Sequence, residues 1–168
     1  MSTAPGPLPT PDASPTPGED ELLIRPAVEA DLPAVVAMLA DDTLGASRED
    51  PSDLAPYRRA FLALAADPNQ HLVVAERAGR VVGTLQLTVI PGLSLKGTTR
   101  GLIEGVRVHA DERGNGLGSR FIAWAVEKSR AEGCAVVQLT SDKSRVDAHR
   151  FYERLGFTGS HLGFKLKL

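Results

Sequence analysis

Apolar positions along the chain fall into short β-type runs and longer helical ones, and their order predicts a sheet covered by helices. Leu22, Leu23 and Ile24 form an apolar run stopped by Arg25-Pro26, which predicts a first strand. Asp31 stands where a helix needs a cap, Pro33 suits the first turn, and Leu32, Val35, Val36 and Leu39 then recur at helical spacing. A second helical run over about Ser52 to Ala66 carries Leu54, Tyr57, Phe61, Leu62 and Leu64 until Asp67-Pro68-Asn69 breaks it. This helix pair is expected to form a wall or lid over a substrate. The runs from His71 to Glu76 and from Val81 to Ile90, separated by Arg77-Ala78-Gly79-Arg80, predict a hairpin. Residues 91–101 predict an irregular loop opening into a fourth strand at 102–109. Leu117 to Ala131 predicts a third helix and Ala135 to Thr140 a fifth strand. Ser144 to Leu155 predicts a fourth helix ended by Gly156, and Phe157 to Leu168 one or two last strands. The order β-α-α-β-β-β-α-β-α-β predicts an α/β (mixed α+β) fold: a central mixed, mostly antiparallel sheet of six to seven strands with helices on both faces.

Composition adds bounds. A chain of 168 residues suits one domain with a real core. A net charge of −2 argues against nucleic-acid binding through a general positive field, so a small ligand is expected. One cysteine, Cys134, allows no internal disulfide and no thiol-rich zinc site; it reads as a small buried hydrophobe and suits a cytoplasmic protein. No compact His/carboxylate cluster suggests a metal site. No stretch reaches the roughly 18 apolar residues of a membrane span. Residues 1–20 differ from the rest: Pro5, Pro7, Pro9, Pro11, Pro15 and Pro17 are half of the 12 prolines, and the segment is expected to be a disordered tail ahead of a domain at 21–168. It lacks the basic start and apolar centre of a secretory signal.

The most informative chemistry lies in Arg113-Gly114-Asn115-Gly116-Leu117-Gly118, between a valine-bearing strand and an amphipathic helix. Glycine permits positive φ and close ligand approach, so successive N–H groups converge on an anion at the first turn of the helix. The helix end adds roughly half a positive charge and Arg113 a full one. A nucleoside-triphosphate loop needs a lysine after the last glycine, and here Ser119-Arg120 follows. A dinucleotide fingerprint needs glycine at its sixth position, which counted from Gly114 is Ser119, and should open a fold rather than lie two-thirds along it. A glycine-rich turn without a ligand is the alternative reading.

The same six residues match the Arg/Gln-x-x-Gly-x-Gly/Ala pyrophosphate loop of the GCN5-related N-acetyltransferase superfamily, and Ile103-Glu104-Gly105-Val106-Arg107-Val108 resembles its fourth strand. Independently, Ala148-His149-Arg150-Phe151-Tyr152-Glu153-Arg154-Leu155-Gly156-Phe157 resembles the superfamily's Ala-x-x-Phe-Tyr-x-x-x-Gly-Phe motif. The resemblance implies that acetyl-CoA lies where the fourth and fifth strands splay apart. Its pyrophosphate would sit on the N–H groups of residues 113–119, Ser119 included, and its pantetheine beside Val106, Arg107 and Val108. Gly105 suits a bulge that opens such a cleft.

The implied chemistry is acyl transfer from a thioester to an amine, which must first lose a proton. Glu104 resembles the position that often serves as base, usually through water; its plain alternative is a strand-end carboxylate paired with Arg107 or another cation. Tyr152 matches the usual general acid for the departing thiolate, whereas Phe151 reads as core. A backbone N–H at or beside Val108 would meet the oxyanion. Where many members carry asparagine, this chain has Arg145, a candidate contact for CoA phosphate or an acidic acceptor. The C-terminal half, with Ser160-His161, most resembles the aminoalkylphosphonate N-acetyltransferase branch. There Arg145, His149 or His161 would contact a small anionic amine, although His149 and His161 also read as solvated surface. The expected function is acetyl transfer to the primary amine of a small molecule. A protein or peptide amine, or a non-catalytic acyl-CoA-binding module, is the alternative; the last strands would serve a homodimer.

Overall fold

The computed structural model describes residues 21–41 and 45–168. The tail expected over residues 1–20 lies outside the described residues. The sheet has five strands in chain order: β1 (Leu23–Pro26), β2 (Gln70–Arg77), β3 (Arg80–Ile90), β4 (Arg100–Val108) and β5 (Val136–Leu139). Each neighbouring pair is antiparallel except β4 and β5, which are parallel. The helices are α1 (Leu32–Ala40), α2 (Ala55–Ala66), α3 (Leu117–Ala131) and α4 (Val146–Arg154). The mixed class matches expectation, and so does the order of the strands and main helices as far as α4. The strand count does not, because residues 157–168 form no strand: an alternating sequence becomes a strand only where another strand offers it hydrogen bonds.

Alternation along the strands sorts side chains to two faces. Val73, Ala75, Leu85, Leu87 and Ile103 turn toward α3 and pack with Leu117, Phe121, Ile122 and Ala125, all buried. Two glycines let α3 sit close. A Cβ on Gly83 would lie 2.5 Å from the Phe121 ring, and one on Gly101 would lie 2.5 Å from the Ser129 hydroxyl. Ser129, 1% exposed, donates to the Ala125 carbonyl at 2.7 Å and so satisfies itself within its own helix. On the opposite face Val35 and Val36 of α1 are buried, and α1 packs on β3 and β4.

Several sequence-level expectations are corrected. The first helix is not capped by the Asp31 side chain. That carboxylate, 6% exposed, accepts two N–H groups of Arg25, at 2.7 and 3.0 Å, and the Val28 N–H at 2.8 Å. A buried carboxylate meets a guanidinium fork more strongly than a lone backbone donor, so it turns back toward β1. Arg25 also donates to Glu76 at 2.7 Å, tying β1 to β2 and to the turn before α1. Loop 91–101 contains a helical turn at Ser94–Gly97, with Leu95 and Lys96 in left-handed conformation, and α2 begins at Ala55 rather than near Ser52. Cys134 is half-buried, and burial pushes its thiol pKa up.

The hydrogen bonds from Arg25 hold the Asp31 carboxyl below the usual aspartate range, against the opposing effect of burial. Its stabilising contribution is therefore complete above about pH 4 and is lost as the pH falls through the depressed value. Asp31→Asn is expected to cost about 1–3 kcal/mol. Thermal melts should show a constant deficit between pH 5 and 8 that closes below about pH 4.

Candidate active site

β4 pairs with β5 over only four positions, from Arg100 opposite Val136 to Ile103 opposite Leu139. At Glu104 the two strands part. Across the other edge, Glu104 opposes Gln86 and Arg107 opposes Thr84, so two residues of β4 fit against one of β3. That is a bulge, and Gly105 takes φ +60° within it. Three residues apart in a regular strand point to opposite faces; the bulge instead brings Glu104 and Arg107 to the same one. Glu104 is exposed there. Beside it Gln86 donates to the Gln70 side-chain carbonyl at 3.0 Å, which also accepts from Thr88 at 2.9 Å. Val106 and Val108 keep their side chains on the core, while their carbonyls accept from Arg107 at 2.9 Å and Arg113 at 3.2 Å.

Past Val108 the chain makes one tight helical turn at Ala110–Glu112 and enters the glycine loop. Gly114 and Gly116 adopt φ +83° and +77°, and a side chain at either would point into open space. Left-handed backbone, not crowding, therefore demands glycine at these two positions. Gly116 begins α3 with no side-chain cap, and no acidic residue occupies the first turn. The N–H groups of Leu117, Gly118 and Ser119 thus belong to a helix start that its own side chains do not satisfy. The Leu117 side chain is core, 1% exposed, so only its backbone faces the loop. Asn115 donates its N–H to the Glu112 carbonyl. Arg113 extends to Asp41 at the end of α1, 2.6 Å away, rather than over the loop.

The second predicted motif meets the first at Gly118. A Cβ there would lie 3.3 Å from the edge of the Phe151 ring, so α4 rests on the start of α3 through that contact. Phe151 packs edge-to-face on Tyr152 with centroids 5.1 Å apart, and Tyr152 on Phe157 at 5.9 Å. Tyr152 is half-buried, and burial raises its phenol pKa above the usual value while the charges of Arg145 and Arg107 pull the other way. The phenol keeps its proton at neutral pH and stands ready to donate one. Arg145 is the residue immediately before α4.

Two further candidate contacts make local hydrogen bonds. The His149 ring lies 2.8 Å from the Asp142 carbonyl, and Asp142 accepts from the Ser144 N–H and hydroxyl, which closes the 142–145 turn. The His161 ring lies 2.8 Å from the hydroxyl of its neighbour Ser160. Helix α2 does not roof this cleft. Phe61 and Leu64 line a separate groove of about 460 Å³ with Leu72 and Trp124 at the β1–β2 edge of the sheet. No sequence pattern singled out Gln70 and Gln86, because cross-strand neighbours follow from register and not from spacing.

The model of the Acetyltransferase (GNAT) family matches residues 33–157. The chain belongs to this family. It is 33% identical to the aminoalkylphosphonate N-acetyltransferase of Salmonella typhimurium over 84% of this chain and 88% of that protein. It is 32% identical to an L-methionine sulfoximine/L-methionine sulfone acetyltransferase of Pseudomonas paraeruginosa, covering 80% and 78% of the two chains. A crystal structure described as a transcriptional regulator from Bacillus halodurans C-125 superposes with a TM-score of 0.85 at 46% identity, over 88% of this chain and all of that one. The GNAT protein is an N-acetyltransferase. Among its described residues no helix is long and apolar enough to cross a membrane.

The contact between Gly118 and Phe151 couples the loop to the tyrosine. Gly118→Val places branched carbons where the ring lies, and is expected to cost about 1–3 kcal/mol and to alter the near-ultraviolet circular dichroism of the aromatic trio. An unchanged melting temperature and spectrum would remove this contact from the site's framework.

Proposed function

We propose that this GNAT protein is a cytoplasmic enzyme that transfers the acetyl group of acetyl-CoA to the primary amine of a small molecule carrying an anionic group. One observation carries the reading: Tyr152 is half-buried against the same core cluster as Val106 and Val108 of β4 and Leu139 of β5, where the charges of Arg145 and Arg107 act on its phenol. The uncapped start of α3 with its left-handed glycines suits the pyrophosphate of the donor, and the backbone of Val106, Arg107 and Val108 suits its amide-bearing arm. Arg113 needs only to exchange an exposed ion pair with Asp41 to reach the same phosphates. The relatives that acetylate aminoalkylphosphonates and methionine sulfoximine support a small acceptor, and Arg107 and Arg145 supply cationic partners for its anionic end.

Each proton in the reaction has a place to go. The acceptor arrives as an ammonium, and Glu104, exposed at the cleft mouth, takes its proton through water so that nitrogen gains a lone pair. The nitrogen attacks the thioester carbonyl, the N–H at Val108 stabilises the oxyanion, and collapse breaks the carbon–sulfur bond as the nitrogen releases its second proton to water, leaving a neutral amide. Tyr152 gives the leaving thiolate its proton and recovers one from solvent. Because burial raises its pKa, the acid form persists to a higher pH than in an ordinary phenol.

A thiol-release assay with acetyl-CoA and a panel of small anionic amines tests the reading. Absence of turnover with every amine, while the donor still binds, would convert the protein to an acyl-CoA-binding module. Tyr152→Phe is expected to lower kcat about 10²-fold or more with the donor affinity unchanged; unaltered turnover removes Tyr152 from the mechanism. Gly116→Val forces a β-branched residue to φ +77° and should weaken donor binding at least tenfold. Equal affinity would refute the cradle.

A further inference from the structure

Glu104 and Arg107 share one face of β4, yet among the described residues the Glu104 carboxylate has neither an ion-pair nor a hydrogen-bond partner. Its cross-strand neighbour on that face is Gln86 of β3, which is half-buried. The Gln86 amide nitrogen is committed to the Gln70 side-chain oxygen at 3.0 Å, and the same oxygen accepts from the Thr88 hydroxyl at 2.9 Å. Two donors on one oxygen fix the Gln70 amide and thereby the turn of the Gln86 amide. Because β3 lies between β2 and β4, an amide whose nitrogen reaches β2 turns its oxygen toward β4, where Glu104 stands. That oxygen accepts no hydrogen bond among the described residues. Two acceptors therefore flank one opening, and a carboxylate and an amide oxygen cannot bond each other. The pair calls for a donor with at least two hydrogens.

We propose, on the acetyl-transfer reading above, that Gln86 is a specificity-determining residue for the acceptor: its Oε1 and the Glu104 carboxylate together receive the nitrogen of a primary amine and select against secondary amines. Hydrogen count decides the selection. A primary ammonium brings three N–H groups, and one proton leaves through water to Glu104, which frees the lone pair. Of the two hydrogens that remain, one donates to Gln86 Oε1 and the other is directed at the water beside Glu104. Held by both, the nitrogen keeps its lone pair for the thioester carbonyl. The carbon–nitrogen bond forms, the carbon–sulfur bond breaks, the hydrogen on the Glu104 side leaves to water, and Tyr152 protonates the sulfur. The amide product keeps its single N–H on Gln86. A secondary amine retains one hydrogen after the first loss, and that hydrogen must also leave. Its second carbon then lies against the Gln86 oxygen, which loses water and gains no donor. Gln70 acts through Gln86 and is a positioning residue.

Thiol-release kinetics of the full chain with acetyl-CoA and matched amine pairs test the assignment, the pairs being 2-aminoethylphosphonate and β-alanine, each with its N-methyl derivative. The parent chain is expected to favour the primary amine by about 100-fold or more in kcat/KM. Gln86→Leu keeps the bulk of the side chain without its amide. It should raise the acceptor KM about tenfold and narrow the primary-to-secondary ratio about tenfold, with the acetyl-CoA KM and the melting temperature unchanged. Gln86→Glu retains an acceptor oxygen, toward which the Gln70 amide nitrogen turns, and should restore the ratio to within about threefold of the parent. Gln70→Ala should narrow the ratio in the same direction by a smaller factor. A ratio unmoved by Gln86→Leu overturns the assignment, as does a ratio that Gln86→Glu fails to restore. Turnover of the parent chain without discrimination removes this inference alone. No turnover of the parent on any primary amine removes the acetyl-transfer reading and this inference with it.

Discussion

The separation of β4 from β5 after Ile103 is the constraint on which the site depends. A parallel pair that stayed in register would bury the backbone of Val106 to Val108 in a ladder and leave nothing for a ligand to bind. The bulge at Gly105 prevents this on the other edge, where β3 must absorb one extra residue and β4 bends away. The same irregularity sets Glu104 and Arg107 on one face, one carboxylate and one cation beside the opening. Charge placement and cleft opening are therefore two results of a single extra residue.

Opening a sheet exposes backbone, and something must hold the halves at a fixed separation. Helix α3 does so from one face. Phe121 fills the space over Gly83, Ser129 the space over Gly101, and the helix start is thereby aimed back at the end of β4. From that start Gly118 receives Phe151, which seats α4 and with it Tyr152. The chain of contacts runs from the centre of the sheet through one helix to the aromatic pair. It explains why glycines recur in this fold for two separate reasons: space at 83, 101 and 118, and left-handed backbone at 105, 114 and 116.

Much of this was legible in the sequence, and the successes share a cause. Strand β3, the hairpin before it and helix α3 were readable because their patterns are local and their partners are adjacent in the chain. Gly105 as a bulge and Gly114 and Gly116 as a left-handed loop were readable because glycine between valines, or repeated before a helix, has few other physical uses. Asp31 was misread because the cap position says nothing of Arg25, whose guanidinium competes for the carboxylate through the β1–β2 pairing. The reach of Arg113 to Asp41 and the neighbourhood of Glu104 with Gln86 were hidden for the same reason: both depend on tertiary placement. Helix α2 carried the right period for a helix but no information about which edge of the sheet it would cover.

The chain end is the opposite case, where the local pattern is stronger than the structure that contains it. Leu162 to Leu168 alternates more strictly than β5, which is a strand, yet forms none. Strand character is a property of a pair, since each N–H and C=O needs a partner and each apolar row needs a surface. A segment that meets every local condition but lacks the pair stays irregular. Leu162, Phe164, Leu166 and Leu168 are accordingly exposed. The segment's alternation of lysine with leucine and phenylalanine therefore marks strand propensity and fixes no register, because register is set by the pair.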